Sequence, residues 1–553
     1  MLNIRTVATS PITGMKAGTS GLRKRVVEVT QANYVENFFQ CVVSVYSERE
    51  NLVGSTLVVG GDGRYFNKQA IQSVLKVAAG NRIRRIWVGQ NGILSTPSVS
   101  IIIREREGGV AKGGLILTAS HNPGGPNGDF GMKFNGSNGS SAVEEVTDKV
   151  YEETLKITEY KTVDLPEVDI SQVGQTKFDV AGEDFIVEVI NSTEDYVNKM
   201  KGLFSFDDIK GLLARPDFTM VYDCMHGVGG PYVREIFHEI FGIPLGNLLN
   251  SVPLEDFGGG HPDPNLIYAH DLVKIMGINK THGIFPSFGA ANDGDADRNM
   301  IVGKQFFVIP SDSVAVIGAN ANLIPCFGGS VKGAARSMAT SLALNAVGEK
   351  LGFRVHETPT GWKFFGNLMD AGLINLCGEE SFGTSSDHCR EKDGIWAVLC
   401  WLSILAKKNE GREELFGVRD VLEEHWRAFG RNYYIRHDYE SCDDSKAKTF
   451  MAAVASKIEG FEGKADNFAY TDPVDQSESR NQGLRFVKGN WRVVFRISGT
   501  GSVGSTVRIY FEKHETENIH AENQAALEDV VQWTRSYFNV HAMLEREKPD
   551  VIT

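Results

Sequence analysis

The sequence predicts an α/β protein of several domains. Short β-rich runs alternate with amphipathic helical stretches, this alternation returns in three separate zones, and a fourth, C-terminal zone is denser in strands. Strands alternating with helices imply mostly parallel sheets covered on both faces.

In order, residues 56–60 form a β-rich run that ends in Gly61-Asp62-Gly63-Arg64 and leads into a helical stretch over 69–79, with the next strand at 86–89. Residues 218–222 repeat the pattern and are followed by a glycine-rich turn and a helix over 231–241. Residues 338–351 read as a helix, with a strand at 353–355 after it. The longest apolar run, 395–406, is too short to span a bilayer and reads as a buried helix. Strands over 491–498 and 505–512 flank a Gly/Ser/Thr turn, and a helix over 523–538 follows, which suggests a small α+β domain. The resulting segments are 1–200, 201–312, 313–424 and 425–553. Residues 135–141 read as a Gly/Ser-rich surface loop.

A chain of 553 residues has room for three to four domains of ordinary size, and 42% hydrophobic residues against 23% charged ones allow large cores. The net charge of −13 argues against a nucleic acid or an anionic membrane surface as main partner. An anionic small substrate would need a local basic pocket. Seven scattered cysteines without a Cys-x-x-Cys pair suggest reduced thiols and a cytoplasmic setting, and residues 1–20 lack the apolar stretch of an export signal. With no exposed heptad pattern, a monomer is expected.

Four segments carry chemistry. The apolar run Gly114-Leu115-Ile116-Leu117 delivers Thr118-Ala119-Ser120-His121-Asn122-Pro123-Gly124-Gly125. A strand that ends this way lifts the Ser120 hydroxyl clear of the sheet, beside a potential proton carrier, His121. Asp293-Gly294-Asp295-Ala296-Asp297-Arg298 sets three carboxylates at alternate positions. Two carboxylates about 4 Å apart repel by about 4 kcal/mol at an effective dielectric near 20, so three that converge require a cation, and oxygen ligands favour Mg²⁺ or Ca²⁺. An EF-hand is excluded, because the sixth position from Asp293 is Arg298 and the twelfth is Lys304. Gly378-Glu379-Glu380-Ser381-Phe382-Gly383 offers groups that grip vicinal hydroxyls, and Lys392 lies just before the 395–406 helix. Arg496-Ile497-Ser498-Gly499-Thr500-Gly501-Ser502 is a phosphate cradle without the Gly-Lys-Ser/Thr ending of a Walker loop. A serine able to carry a group, a cation loop, a hydroxyl-binding loop and a phosphate cradle together describe phosphoryl transfer to a sugar. Serine hydrolysis fits worse, since no Gly-x-Ser-x-Gly elbow is present.

These segments, with Gly18-Thr19-Ser20-Gly21-Leu22-Arg23 and Glu357-Thr358-Pro359-Thr360-Gly361-Trp362, resemble in order and over almost the whole chain the α-D-phosphohexomutase superfamily. The resemblance is nearest to its eukaryotic phosphoglucomutase branch, in which the protist parafusins fall. It implies a four-domain architecture around a central cleft, with three similar mixed α/β domains and a last α+β domain like the TATA-binding protein. It implies interconversion of glucose 1-phosphate and glucose 6-phosphate through a phosphoserine at Ser120 and a glucose 1,6-bisphosphate intermediate. Asp293, Asp295 and Asp297 would hold Mg²⁺ with a phosphoserine oxygen. Arg23, Arg298, Thr360, Glu379, Ser381 and Lys392 would contact the sugar phosphate, and Arg496, Ser498, Gly499 and Thr500 would clasp the phosphate not in transfer. The intermediate must turn over away from water, which would make the last domain a lid.

For the general acid/base, Lys392, His121 and Arg23 all remain candidates. Arginine is the poorest donor by intrinsic pKa, and histidine is best matched to neutral pH. A mutase for mannose or N-acetylglucosamine phosphates is the nearest rival, and the Glu379-to-Gly383 wording favours glucose. A parafusin-like role as a phosphoprotein in exocytosis is the rival from another class.

Overall fold

The computed structural model describes residues 1–18, 21–498 and 504–553. It divides into two units: Met1–Gln305 with Gly383–Glu410, and Phe306–Phe382 with Gly411–Thr553.

The first unit contains a seven-stranded sheet in the order Leu22–Arg25, Asp129–Gly136, Ala111–Leu117, Thr56–Gly61, Arg85–Ile93, Glu183–Ile190 and Gly174–Val180. Its four central strands are parallel, and the strands outside them run antiparallel. The sheet is therefore more mixed than the alternation of elements implied. Strand Thr56–Gly61 is buried on both faces. Leu57 and Val59 enter a core with the helices Tyr34–Arg49 and Asn67–Gly80, and Val58 joins Trp87, Val99, Ile102 and Ile103 on the opposite side. This is the period-2 pattern of a strand covered from above and below. Helix Thr96–Glu105 starts at Ser95, whose hydroxyl accepts from the Ser98 N–H, with Pro97 in the first turn.

A second sheet in this unit places Met220–Asp223 parallel to Leu248–Leu249 and Phe288–Asn292, and Asn299–Gly303 returns antiparallel to Phe288–Asn292. The acidic segment is the loop of that last hairpin. Helix Gly394–Lys408 folds with this unit, begins at an Asp393 cap, and is buried from Ile395 through Leu405. The expected helix over 231–241 is α-helical over Gly229–Val233 and then widens to a π-helix over Arg234–Ile240. The loop at 135–141 is less open than its composition suggested. Asn135 and Ser140 are buried, and Asn135 and Ser141 both donate to the Glu391 carboxylate.

The second unit holds three parallel strands, Arg354–Thr358, Gly333–Ser337 and Leu376–Gly378, in that order. The helix expected over 338–351 begins only at Ala343. The Ser337 and Ser341 hydroxyls take the N–H groups of Thr340 and Ala343, so this stretch caps and turns before it coils. The rest of the unit is α+β. Six strands pair antiparallel in the order Lys464–Asn467, Leu484–Lys488, Trp491–Ser498, Ser505–Glu515, Arg431–Cys442 and Val551–Ile552. Phe486, Phe495 and Phe511 face the helices Asp444–Ala455 and Asn523–Tyr537, and Val494 and Tyr510 face Met338 and Ala339. All seven cysteines are free thiols. Among the described residues no helix is long and apolar enough to cross a membrane.

Candidate active site

Ser120 stands three residues beyond strand Ala111–Leu117, buried, with a φ of +52°. A non-glycine residue in the left-handed region holds that shape only when its surroundings enforce it. Here the Ser120 N–H donates to Thr118 Oγ1 at 2.7 Å, and the Ser120 carbonyl accepts from Arg64 at 2.8 Å. The hydroxyl donates to Asp293 Oδ2 at 2.8 Å and lies 3.4 Å from His121 Nδ1. The side chain is clear of the sheet, as the strand–turn pattern implied, and it points into the acidic loop.

That loop follows Phe288–Asn292, and the left-handed Ala296 (φ +60°) turns the chain back into Asn299–Gly303. The three carboxylates converge through this turn rather than through the simple alternation of an extended backbone. Asp293, Asp295 and Asp297 are all buried, each offering an oxygen within 4.8 Å of the others. At that spacing each ionised pair repels by about 3–4 kcal/mol at an effective dielectric near 20. Burial, with the Asp295 and Asp297 charges added to it, pushes the Asp293 carboxyl well above its usual range. Burial pushes Asp295 the same way but is outweighed by Lys392, a hydrogen bond from Asp293 and one from Thr96, so Asp295 is held low. Burial and Asp295 raise Asp297. Two buried oxygens, Asp295 Oδ1 and Asp297 Oδ1, have no hydrogen-bond partner among the described residues. A site that packs three buried acids together and leaves oxygens of two of them unpartnered fits a hard divalent cation.

Four basic residues expected at the site surround this loop. Lys392, held one residue before the Asp393 cap, puts its ammonium 2.9 Å from Asp297 Oδ2. Arg298 donates its N–H to Asp293 Oδ1 and a guanidinium N–H to Asp263 Oδ1 at 3.1 Å. Arg23 lies on strand Leu22–Arg25, and its buried Nε has no hydrogen-bond partner among the described residues. Burial lowers the Arg23 pKa; Asp295 opposes that shift, and Arg298 and Arg64 add to it. Burial, followed by the charges of Arg298, Arg23, His261 and Lys392, drives His121 well below its ordinary value, so its ring is neutral at physiological pH. Lys392, Arg298 and Arg23 gather positive charge beside the acidic loop, the local condition that an anionic substrate would require in a chain of net charge −13.

The residues expected to bind hydroxyls lie in the second unit. Glu379 Oε1 accepts from the Gly361 N–H beside Thr360 at 3.3 Å, and Ser381 Oγ donates to Glu379 Oε2 at 3.4 Å. This brings Thr360, Glu379 and Ser381 together. Thr360 Oγ1 is buried without a hydrogen-bond partner among the described residues. The adjacent Glu380 turns inward to the hydroxyls of Ser337 and Thr340. Arg496 donates to the Gln482 carbonyl and to the Tyr510 hydroxyl, each at 3.3 Å, and lies near enough to Glu379 and Glu380 for both charges to act on it. Ser498 ends strand Trp491–Ser498, while Gly499 and Thr500 lie outside the described residues.

Sequence reasoning missed Thr96, whose hydroxyl donates to Asp295 Oδ2 at 2.8 Å, and Asp263, the partner of Arg298. It noted Gly61-Asp62-Gly63-Arg64 only as a turn, although Asp62 and Arg64 are fully buried ions beneath the Ser120 loop. A charged pair within a glycine turn at the end of an apolar strand was the available signal.

Comparison with known proteins gives the family. Models of phosphoglucomutase/phosphomannomutase α/β/α domains I, II and III match residues 14–161, 194–305 and 310–425, and a phosphoglucomutase-1 C-terminal domain matches 431–550. The chain is 52% identical to the cytoplasmic phosphoglucomutase of Populus tremula over 100% of both chains, and 52% identical to phosphoglucomutase-2 of Paramecium tetraurelia over 99% of both. The crystal structure of the exocytosis-sensitive phosphoprotein parafusin, a phosphoglucomutase from Paramecium, in its open form, superposes with a TM-score of 0.94 at 51% identity, covering 100% of each chain. With every α/β segment and the C-terminal segment matched, the chain belongs to the phosphoglucomutase/phosphomannomutase family.

Proposed function

We propose that this enzyme interconverts α-D-glucose 1-phosphate and glucose 6-phosphate through a phosphoserine at Ser120. The observation that carries the proposal is the Ser120 hydroxyl hydrogen-bonded into a buried carboxylate trio. In the forward direction phosphorylated Ser120 gives its PO₃ group to O6 of glucose 1-phosphate; the O6 proton leaves to a base and the freed Ser120 oxygen takes up a proton. The resulting glucose 1,6-bisphosphate turns over, the Ser120 hydroxyl gives up its proton and attacks the C1 phosphate, the O1–P bond breaks, O1 is protonated, and glucose 6-phosphate departs.

Asp293, Asp295 and Asp297, with an oxygen of the serine phosphate, would hold Mg²⁺. When bound, the ion draws negative charge from the phosphoryl group in transfer. A phosphate on Ser120 adds about −1.5 to −2 charges, and Arg23, Arg298 and Lys392 balance it. Thr360, Glu379 and Ser381 grip the sugar hydroxyls, and Arg496 and Ser498, with Gly499 and Thr500, take the idle phosphate. Backbone donors and a bidentate guanidinium suit a cradle that must accept phosphate from either end of the sugar. Lys392, His121 and Arg23 all remain candidates for the proton acceptor: His121 lies 3.4 Å from the Ser120 hydroxyl, but burial and its cationic neighbours make it a weak base. The protein acts as a monomer on free sugar phosphates in the cytoplasm, the compartment that the Populus relative's name carries.

Initial rates with glucose 1-phosphate and mannose 1-phosphate test the substrate. We expect glucose 1-phosphate to turn over at least about tenfold faster, a difference of about 1.4 kcal/mol in transition-state binding. Equal rates would contradict the choice of glucose. The likeness to parafusin, an exocytosis-sensitive phosphoprotein, favours a second role at membranes during secretion. Recovery of the chain with the membrane fraction of stimulated cells would support it, and its absence there would contradict it.

A further inference from the structure

We infer that Arg64, with Asp62 and Thr118, is a positioning device that fixes the direction of the Ser120 hydroxyl; this rests on the reading of Ser120 as the group carrier. Arg64 and Asp62 have no measurable exposure, and no substrate contact is needed to explain them. The Arg64 Nε donates to both Asp62 oxygens, at 3.0 and 2.9 Å. One terminal nitrogen donates to the Asp129 carbonyl and the other to the Ser120 carbonyl, each at 2.8 Å. Asp129 opens the strand that returns from the serine loop, so a single planar guanidinium spans both ends of residues 118–129. The Phe257 ring lies 5.1 Å from the Arg64 guanidinium carbon.

The opposite side of the serine is held through the same acid. The Thr118 hydroxyl donates to Asp62 Oδ2 at 2.5 Å and accepts the Ser120 N–H at 2.7 Å. Both backbone polar groups of the left-handed Ser120 are therefore tied to the Asp62–Arg64 pair, its carbonyl directly and its N–H through one hydroxyl. The fit leaves no slack. A Cβ at Gly61 would meet the Leu117 carbonyl oxygen at 2.0 Å, and one at Gly294 of the acidic loop would meet the Ser120 carbonyl oxygen at 2.7 Å. If the clamp is lost, the φ of +52° is no longer enforced and the hydroxyl swings away from Asp293. Lysine cannot replace arginine here, because a point ammonium does not span two carbonyls and a carboxylate in one plane.

Three full-length variants test the device, with kcat and KM for glucose 1-phosphate measured at saturating glucose 1,6-bisphosphate, melting temperature alongside, and phosphate on Ser120 followed by intact mass. Thr118→Val keeps the shape and removes both hydrogen bonds; Arg64→Lys keeps the charge and removes the fork. Each is expected to lower kcat by about 10²-fold and slow phosphate loading, with KM within about threefold, since a displacement of about 1 Å at a reacting group costs that much. Thr118→Ser, which keeps the hydroxyl, restores kcat to within about threefold. A folded Thr118→Val enzyme with kcat within threefold of the parent overturns the inference, as do equal losses in Thr118→Val and Thr118→Ser. Turnover by Ser120→Ala would instead remove the group-carrier reading and leave the clamp without a task, so the two failures are distinguishable.

Discussion

The acidic trio beside Ser120 and the arginine–glutamate network of the second unit handle buried charge in opposite ways. In that network each acid faces arginine. Glu357 accepts from Arg336 at 3.0 Å and from Arg485 at 2.6 Å, and Glu512 takes Arg492 at 2.8 Å. Arg492 also donates to the Met338 and Thr340 carbonyls, and Glu512 accepts the Leu342 N–H. Burial would raise Glu357, but the three arginines outweigh it and hold it low. In the first unit burial and like charge act together, and Asp293 is driven up. Burial alone therefore does not mark a functional carboxylate; an uncompensated neighbourhood does. The network closes on itself, whereas the trio leaves Asp295 Oδ1 and Asp297 Oδ1 without a hydrogen-bond partner among the described residues.

The contrast is broken most severely at the trio. Chelation should abolish turnover and Mg²⁺ restore it, and Asp295→Asn should lower kcat by about 10³-fold, comparable to losing a principal electrostatic stabiliser. Full turnover in excess chelator would contradict an incomplete site. Recognition in the second unit should show a smaller, different signature. Glu379→Ala is expected to raise KM for glucose 1-phosphate by about tenfold, about 1.4 kcal/mol, with a lesser change in kcat; an effect confined to kcat would place Glu379 with the chemistry instead.

Stability separates the two regions without any substrate. Glu357→Gln should cost about 2 kcal/mol of unfolding free energy with or without Mg²⁺, a value discounted because the side chain is 26% exposed. Asp293→Asn should not destabilise the chelated protein, since burial and the Asp295 and Asp297 charges already disfavour its ionised form. Denaturant titrations of both variants in chelator check the pair, and a larger loss for Asp293→Asn would reverse the comparison.

A further difference between the units is in pH dependence. In the first unit burial works against a charged His388, but the Cys389 thiol and a 2.9 Å contact to Asp393 outweigh it and push its pKa up to about 10. The stability it contributes is complete below about 6.5 and is lost as pH rises through about 10. In the second unit burial lowers His425 to about 3, so its contribution is present above about 6.5 and is lost as pH falls toward 3. Melting profiles should lose their alkaline slope in His388→Gln and their acid slope in His425→Gln. Unchanged slopes would refute these assignments.

Much of this was legible in the sequence. The strand limits at 491–498 followed from dense β-branched and aromatic residues between turn signals, and the buried helix at 395–406 from a run that is apolar but for Ser403. The Ser120 and Asp293–Asp297 segments were legible as candidates from residue type, while the turn at Ala296 that draws the three acids together was not. Less legible were features that depend on distant partners. Thr96 reaches Asp295 across 199 positions, and Asn135 reaches Glu391 across 256, so no local pattern marks either. The late start of helix Ala343–Leu351 depends on serine hydroxyls that compete for the backbone, which helical periodicity does not register. The glutamate pair 379–380 also hid a division of labour, since adjacent residues of one type point to different partners.

The central claim is that one hydroxyl carries the phosphoryl group. Incubating the full chain with glucose 1,6-bisphosphate, then measuring intact mass and mapping the phosphopeptide, tests it directly. The account predicts a single acid-stable phosphate on Ser120, and a Ser120→Ala protein with no added mass and turnover reduced by at least about 10⁴-fold. A phosphate on another residue, or an active Ser120→Ala enzyme, would contradict it.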